Sequence, residues 1–153
     1  PGLIDKFGGH AMAAGLALPP ESFEKFSEAF SEAIKKHLEG KKPIIELMTD
    51  GELEASEITI KNAELLRKAS PWGQGFEEPI FYGDFELVEQ KIVGEKHLKC
   101  TLKLNGASSI FEGIAFFQYK IETKQVKVAY KLNVNSFRGN ESLQLMIESI
   151  LIQ

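Results

Sequence analysis

The sequence has one cysteine, Cys100, among 153 residues. An internal disulfide is therefore excluded, and a lone thiol leads us to expect a reducing cytoplasm. No apolar run approaches the ~20 residues that a membrane helix needs, and no segment reads as a secretory leader. The three histidines, His10, His37 and His97, lie far apart in different segments. Neither Cys-x-x-Cys nor His-x-x-x-His spacing occurs, so no residues are named here as metal ligands. There is no Gly-x-Ser-x-Gly elbow and no phosphate-binding P-loop. No residue of this chain is named as catalytic. The chain starts with proline, from which we expect a piece of something longer.

What is present is ordinary for a globular protein: 43% hydrophobic and 26% charged residues, enough for one good core or two small ones. The net charge of −4 argues against a strongly basic nucleic-acid binder. It hides a gradient. Residues 1–43 are neutral, residues 44–93 carry −7 and residues 94–153 carry +3. A polyanion should prefer the last third; a merely solvated basic face explains the same numbers.

Residues Glu21 to Leu38 read as a helix. Phe23, Phe26, Phe30, Ile34 and Leu38 fall on one stripe, with Pro19-Pro20 before it and Gly40 after it. Ala13 to Leu18 reads as a short buried strand. Gly40 to Pro43 is a candidate linker. Beyond it the pattern predicts a strand from Ile44 to Leu53 and a short helix from Thr59, as N-cap, to Ala69. Strands follow near 80–93, 96–104, 109–117, 126–137 and 141–151. Gly139-Asn140 is a two-residue turn signal. It predicts Leu132 opposite Ile147 and Val134 opposite Leu145, with the apolar residues of both strands on one face. The segment 109–117 is ambiguous, because Phe111 and Phe117 lie on one face and Ile110, Ile114 and Phe116 on the other. The fold class expected from the pattern is mostly β with some α, an α+β chain: a small antiparallel barrel or sandwich preceded by a strand and helix that look like the end of a larger domain.

Three stretches could carry chemistry. Glycine permits close approach of a phosphate to backbone N–H groups, and an imidazole can donate to a phosphate oxygen, so Gly8-Gly9-His10 could grip a phosphate. A tight turn with a surface histidine explains the same residues. Lys96, His97, Lys99 and Lys103 share one strand face. With Phe137 and Arg138 of the late hairpin they could neutralise phosphates and stack a base, and a solvated face with a stray Phe is the plain alternative. Pro71 to Phe81, PWGQGFEEPIF, reads as a stiff turned loop that Trp72 anchors to the core.

KFGGHAMAAGLAL (Lys6 to Leu18) resembles the Gly-Gly-His-x-x-Ala-Ala-Gly motif of the DHH-associated domain in the DHH phosphoesterase superfamily. Within that superfamily PWGQGFEEPIF, VGEKHLKCTLKL (Val93 to Leu104) and VAYKLNVNSFRGNESLQLMIESI (Val128 to Ile150) are similar to segments of the RecJ family of bacterial single-stranded-DNA-specific exonucleases. The resemblance implies that residues 1–42 end a DHH-associated domain and residues 43–153 form an OB-like (oligonucleotide-binding) domain that holds DNA. It implies that Gly8, Gly9 and His10 grip substrate phosphate. It also implies digestion from the 5′ end with manganese or magnesium bound in an N-terminal domain. The chain departs from the family in having no Asp-His-His sequence, so the chain alone is expected to be inactive, and in having Glu77 where the family often has proline. Three readings follow: the single-stranded-DNA-binding part of a nuclease acting in repair and recombination, a module recruiting single-strand-binding protein, or a small phosphodiesterase in itself. None involves a membrane.

Overall fold

The structure, a computed structural model, describes residues 3–10, 13–39 and 46–152. The chain divides into two compact units, Pro1–Glu46 and Leu47–Gln153.

In the first unit, β1 (Lys6–His10) and β2 (Ala13–Ala17) pair antiparallel, with Gly8 opposite Gly15 and Gly9 opposite Ala14. A 3-10 turn, Pro20–Ser22, leads into α1 (Phe23–His37). Proline suits this start because its missing N–H has no intrahelical partner there. Lys35, Lys36 and His37 occupy the last turn, where the helix dipole favours cations. The stripe forms as expected: the Phe26 and Phe30 rings stack with centroids 5.6 Å apart. Together with Leu3, Ile4 and Phe7 they line an open concavity of about 430 Å³. The strand expected to be buried is instead exposed along its whole length, because a two-stranded ribbon has no second layer over its outer face. The Gly40 to Pro43 linker lies outside the described residues.

The second unit opens differently from expectation. Ile44 and Ile45 lie outside the described residues, and Glu46 to Leu53 is not a strand. Gly51 takes a left-handed φ of +116°, which breaks an extended run. The Asp50 carboxylate accepts the Ile80 N–H at 3.0 Å, the Asp50 N–H donates to the Ile80 carbonyl at 2.7 Å and the Tyr82 N–H to the Gly51 carbonyl at 3.0 Å, so the segment is tied to the start of the barrel by a few bonds without forming a strand. A single bridge joins Glu52 to Tyr82. The helix α2 (Ile60–Ala69) starts where the sequence places it, with Thr59 Oγ1 accepting the Asn62 N–H at 3.2 Å. Trp72 anchors the following loop to the end of this helix rather than to the core: its indole N–H donates to the Leu66 carbonyl at 2.9 Å, and its ring stacks on Phe76.

Five strands then close a barrel: β3 (Phe81–Val93), β4 (His97–Leu104), β5 (Ile110–Phe116), β6 (Gln125–Phe137) and β7 (Asn140–Ile152), in the order β3-β4-β5-β7-β6. β3 pairs with β6 through its first half and with β4 through its second, and a bulge between Leu87 and Glu89 bends it through the corner. β5 and β7 are parallel; the other pairs are antiparallel. This is the expected mostly-β fold, an OB-type barrel. Phe85, Leu98, Cys100, Leu102, Val126, Val128, Tyr130, Leu132, Leu145 and Ile147 fill it, with Ile58 and Ala63 from the α2 side. Each large apolar side chain buried this way contributes about 1.5–3 kcal/mol. Burial, with Glu112 adding, pushes the Cys100 thiol up to about 12, so it behaves as a core residue.

Two details differ from the sequence reading. The β6–β7 turn is Arg138-Gly139, not Gly139-Asn140: both residues have positive φ, +51° and +81°, as a two-residue hairpin turn of this hand requires. Leu132 therefore faces Leu145 and Val134 faces Leu143. From Tyr130 to Phe137 the displacement is two residues, which keeps those side chains on their expected face; past a bulge between Ala129 and Tyr130 it is one, so Val128 faces Ile150 rather than the Leu151 that a Gly139-Asn140 turn implies, and Leu151 is exposed. In β5 the inner face is Phe111, Gly113 and Ala115. A Cβ on Gly113 would lie 2.9 Å from Ile147 Cδ1, so the barrel excludes a larger residue there, and the apolar alternation is hidden.

The Tyr130 ring is fully buried edge-on to Phe85, and its hydroxyl has no hydrogen-bond partner among the described residues. Burial, followed by Glu52 and Glu57, raises its pKa above the usual phenol range. Phenylalanine keeps the ring and removes the orphan oxygen. Tyr130→Phe should raise stability by about 1 kcal/mol in urea unfolding; a loss of that size would show that the hydroxyl has a partner in solution.

Candidate nucleic-acid interface

On β4 the buried residues Leu98, Cys100 and Leu102 alternate with His97, Lys99, Thr101 and Lys103, which face outward. Register sets His97 beside Phe116, Lys99 beside Ile114, Thr101 beside Glu112 and Lys103 beside Ile110. The outward face is thus cationic on β4 and mostly apolar on β5. Lys96 belongs to the loop between β3 and β4. Phe137 and Arg138 form the hairpin tip, with the guanidinium 5.2 Å from the ring centroid. Because β7 runs parallel to β5, that tip lies toward the Lys103 end of β4. Lys96 and His97 mark the other end, about 20 Å away for six residues of strand.

Ion pairing divides these cations. Lys99 is paired with Glu112, Lys127 with Asp84, and Lys131 with Glu78 and Glu148. Lys96 and Lys103 have no ion pair among the described residues. A phosphate meeting Lys99 must compete with a carboxylate, although exposed pairs of this kind are worth only about 0–1 kcal/mol.

Three residues not singled out as ligands from sequence join the Lys96 end. Phe116 and Phe117 each meet the His97 ring edge-on, with centroids 5.0 and 5.1 Å away. The Phe117 N–H donates to His97 Nδ1 at 3.2 Å, so the neutral imidazole carries its proton on Nε2. Lys96 Nζ lies 5.1 Å from the Phe117 centroid. Tyr119 follows, exposed. The signal was available: three aromatics in four positions, Phe-Phe-x-Tyr, cannot all point inward from a strand of period two.

Gly8, Gly9 and His10 belong to the first unit, not to the barrel. They form the end of strand β1 rather than a tight turn, and His10 is exposed. A Cβ on Gly9 would lie 2.8 Å from Ala13 O and from Ala14 Cα, whereas one on Gly8 meets nothing. Among the described residues no group of three or more His, Cys, Asp or Glu is placed to hold a metal ion.

The profile of the RecJ OB domain family matches residues 49–149, most of the barrel unit. The chain belongs to the RecJ OB domain family. It is 44% identical over 158 aligned positions to the single-stranded-DNA-specific exonuclease RecJ of Escherichia coli and 40% identical over 162 to that of Haemophilus influenzae. In both cases 98% of this chain is covered, and the chain spans 27% of the relative's length. A crystal structure of RecJ from Thermus thermophilus in complex with Mg2+ superposes with a TM-score of 0.60 at 22% identity, covering 99% of this chain and 23% of that one. A second, in complex with Mn2+, gives 0.56 at 23% identity. The likeness to these solved chains is one of fold. The RecJ OB profile covers the β4 face, the Phe116–Tyr119 segment and the hairpin tip alike, and leaves Gly8–His10 outside it.

The two glycines of the hairpin should separate under substitution. Gly8→Ala should leave the backbone amide shifts of residues 6–17 in place by NMR, while Gly9→Ala, whose methyl meets backbone, should displace them. Equal spectra for both variants would mean that the close β1–β2 approach is absent in solution.

Proposed function

We propose that this chain is the single-stranded-DNA-holding part of a RecJ-type 5′-to-3′ exonuclease, with phosphodiester hydrolysis performed by a part of the protein outside it. The observation that carries the reading is an OB barrel of this family presenting two cations without ion pairs among the described residues, Lys103 near one end of the outward β4 face and Lys96 in the loop at its other end. Residues 43–153 are the DNA-holding domain in this reading. Residues 1–42 close a DHH-associated domain whose Gly8, Gly9 and His10 contact the phosphate to be cleaved. The manganese or magnesium of the complete enzyme is held elsewhere in this reading: the sequence has no Asp-His-His motif, and among the described residues no group of three or more His, Cys, Asp or Glu is placed for the ion. The chain by itself is expected to bind and not to cut. The setting is DNA repair and recombination in the bacterial cytoplasm.

A second reading, recruitment of single-strand-binding protein, is favoured by one feature: the +3 charge of residues 94–153 would attract an acidic tail as it would DNA.

Affinity for an oligothymidylate, followed by fluorescence anisotropy, should fall steeply with salt. The log–log slope should flatten by roughly 0.7 for each phosphate contact removed when Lys99, Lys103 and Arg138 are replaced by alanine. Salt-independent affinity, or a slope that ignores these replacements, would remove the β4 face from the reading.

A further inference from the structure

We propose that Phe116, Phe117 and Tyr119, with Lys96, form a stacking site for unpaired bases, and that Gln90 is the positioning residue that holds this site in place. The inference rests on the DNA-binding reading above and deepens it.

The first observation is exposure. Phe116 is 53%, Phe117 70% and Tyr119 80% exposed. Phe116 and Phe117 both meet the His97 ring, and Tyr119 follows two residues on in the same segment; exposed large rings grouped in this way mark a binding surface more often than an accident of composition.

The second observation is that the rings are held, not loose. β5 ends at Phe116, and Phe117 then takes a left-handed φ of +55°, which costs a non-glycine residue energy and persists where surrounding contacts impose it. The His97 ring supplies one such contact by accepting the Phe117 N–H. Gln90 supplies the next. Its carboxamide lies against the Ile121 backbone and makes both bonds: Nε2 donates to the Ile121 carbonyl at 2.6 Å, and Oε1 accepts the Ile121 N–H at 2.9 Å. The Ile121 side chain is buried in the core. At the far end the Leu87 N–H donates to the Lys124 carbonyl at 2.7 Å. The connection from Phe117 to Lys124 is therefore pinned from β3 and β4, while the aromatics of its first half stay in solvent. Rings already ordered lose little freedom when a flat partner stacks on them.

The third observation selects the partner. Lys96 stands over Phe117, within reach of the phosphate that follows a base stacked on these rings. Glu95 and Glu122 flank the patch in sequence, and Lys120 lies within the loop itself. Rings beside a cation, at one end of a strand whose other end carries Lys103, fit an unpaired strand laid along β4. A duplex hides its base faces and offers these rings nothing.

The test uses the whole chain and two oligomers of equal length, oligothymidylate and an abasic backbone with the same phosphates. Wild type should bind the thymidylate more tightly than the abasic strand. Phe117→Ala and Tyr119→Ala should each lower thymidylate affinity by roughly tenfold, with the salt slope and the abasic affinity unchanged. Gln90→Glu, which cannot donate to the Ile121 carbonyl, should reproduce that loss with the same unchanged slope; the two ring variants keep the test decisive should this one unfold. Equal binding of both oligomers by wild type, or thymidylate affinity untouched in the ring variants while Lys103→Ala still weakens it, overturns the stacking site and leaves the DNA reading standing. Loss of an acidic, aromatic-ended peptide in Phe117→Ala with thymidylate binding intact assigns the rings to a protein partner and overturns it too. No binding of either oligomer by wild type at low salt sinks the DNA reading itself.

Discussion

Closure of the sheet on itself decides where every side chain of the barrel must go. β3 is shared between β4 and β6, and the short parallel contact of β5 with β7 completes the ring. With no edge left within the ring, the inward positions must fill the interior, and Phe85, Leu98, Leu102, Val128, Tyr130 and Leu145 do so without exposure. The outward positions are then what remains for binding. On β4 they are a histidine, a threonine and two lysines; at the two ends of the strand they are joined by aromatic residues from elsewhere in the chain. The cationic face is a by-product of the same alternation that builds the core.

Faces were legible in the sequence, and register was not. Alternation in 96–104 and in the turn-proximal part of the last hairpin assigns inside and outside correctly because a one-residue slip there would bury charge; past the bulge between Ala129 and Tyr130 the alternation shifts by one, and Leu151 faces out. A two-residue slip leaves that pattern untouched, so only the turn can exclude it. The turn misleads here, since the left-handed position that usually falls to asparagine or glycine is taken by Arg138. The expected strand from Ile44 fails for a related reason: hydrophobic spacing does not register that the Asp50 carboxylate claims a backbone N–H or that Gly51 takes a left-handed φ, which breaks the extended run. The segment 109–117 looked two-faced because Gly113 is the inner residue where Ile147 leaves no room. The Phe-Phe-x-Tyr run was visible but unassigned, since its contacts come from His97 on another strand and its support from Gln90 on a third.

The first unit teaches a different lesson. The glycines of KFGGHAMAAGLAL suggest close approach of a phosphate to backbone N–H groups or a tight turn. The structure shows a close approach of another kind as well: two strands come together, with Gly9 set against Ala13 and Ala14. A phosphate role for His10 remains compatible with its exposed position at the strand end, and in the proposed reading it is exercised within the complete enzyme.

The central claim is that one face of the barrel, from Lys96 and Phe117 along β4 to Arg138, takes the unpaired strand. Amide shift mapping by NMR during titration with oligothymidylate tests it most directly. The account predicts that the perturbed residues lie within 94–103, 110–120 and 136–140, with residues 50–57 and 77–84 on the acidic stretch unmoved. Perturbations concentrated on the acidic stretch, or spread evenly over the barrel, would contradict it.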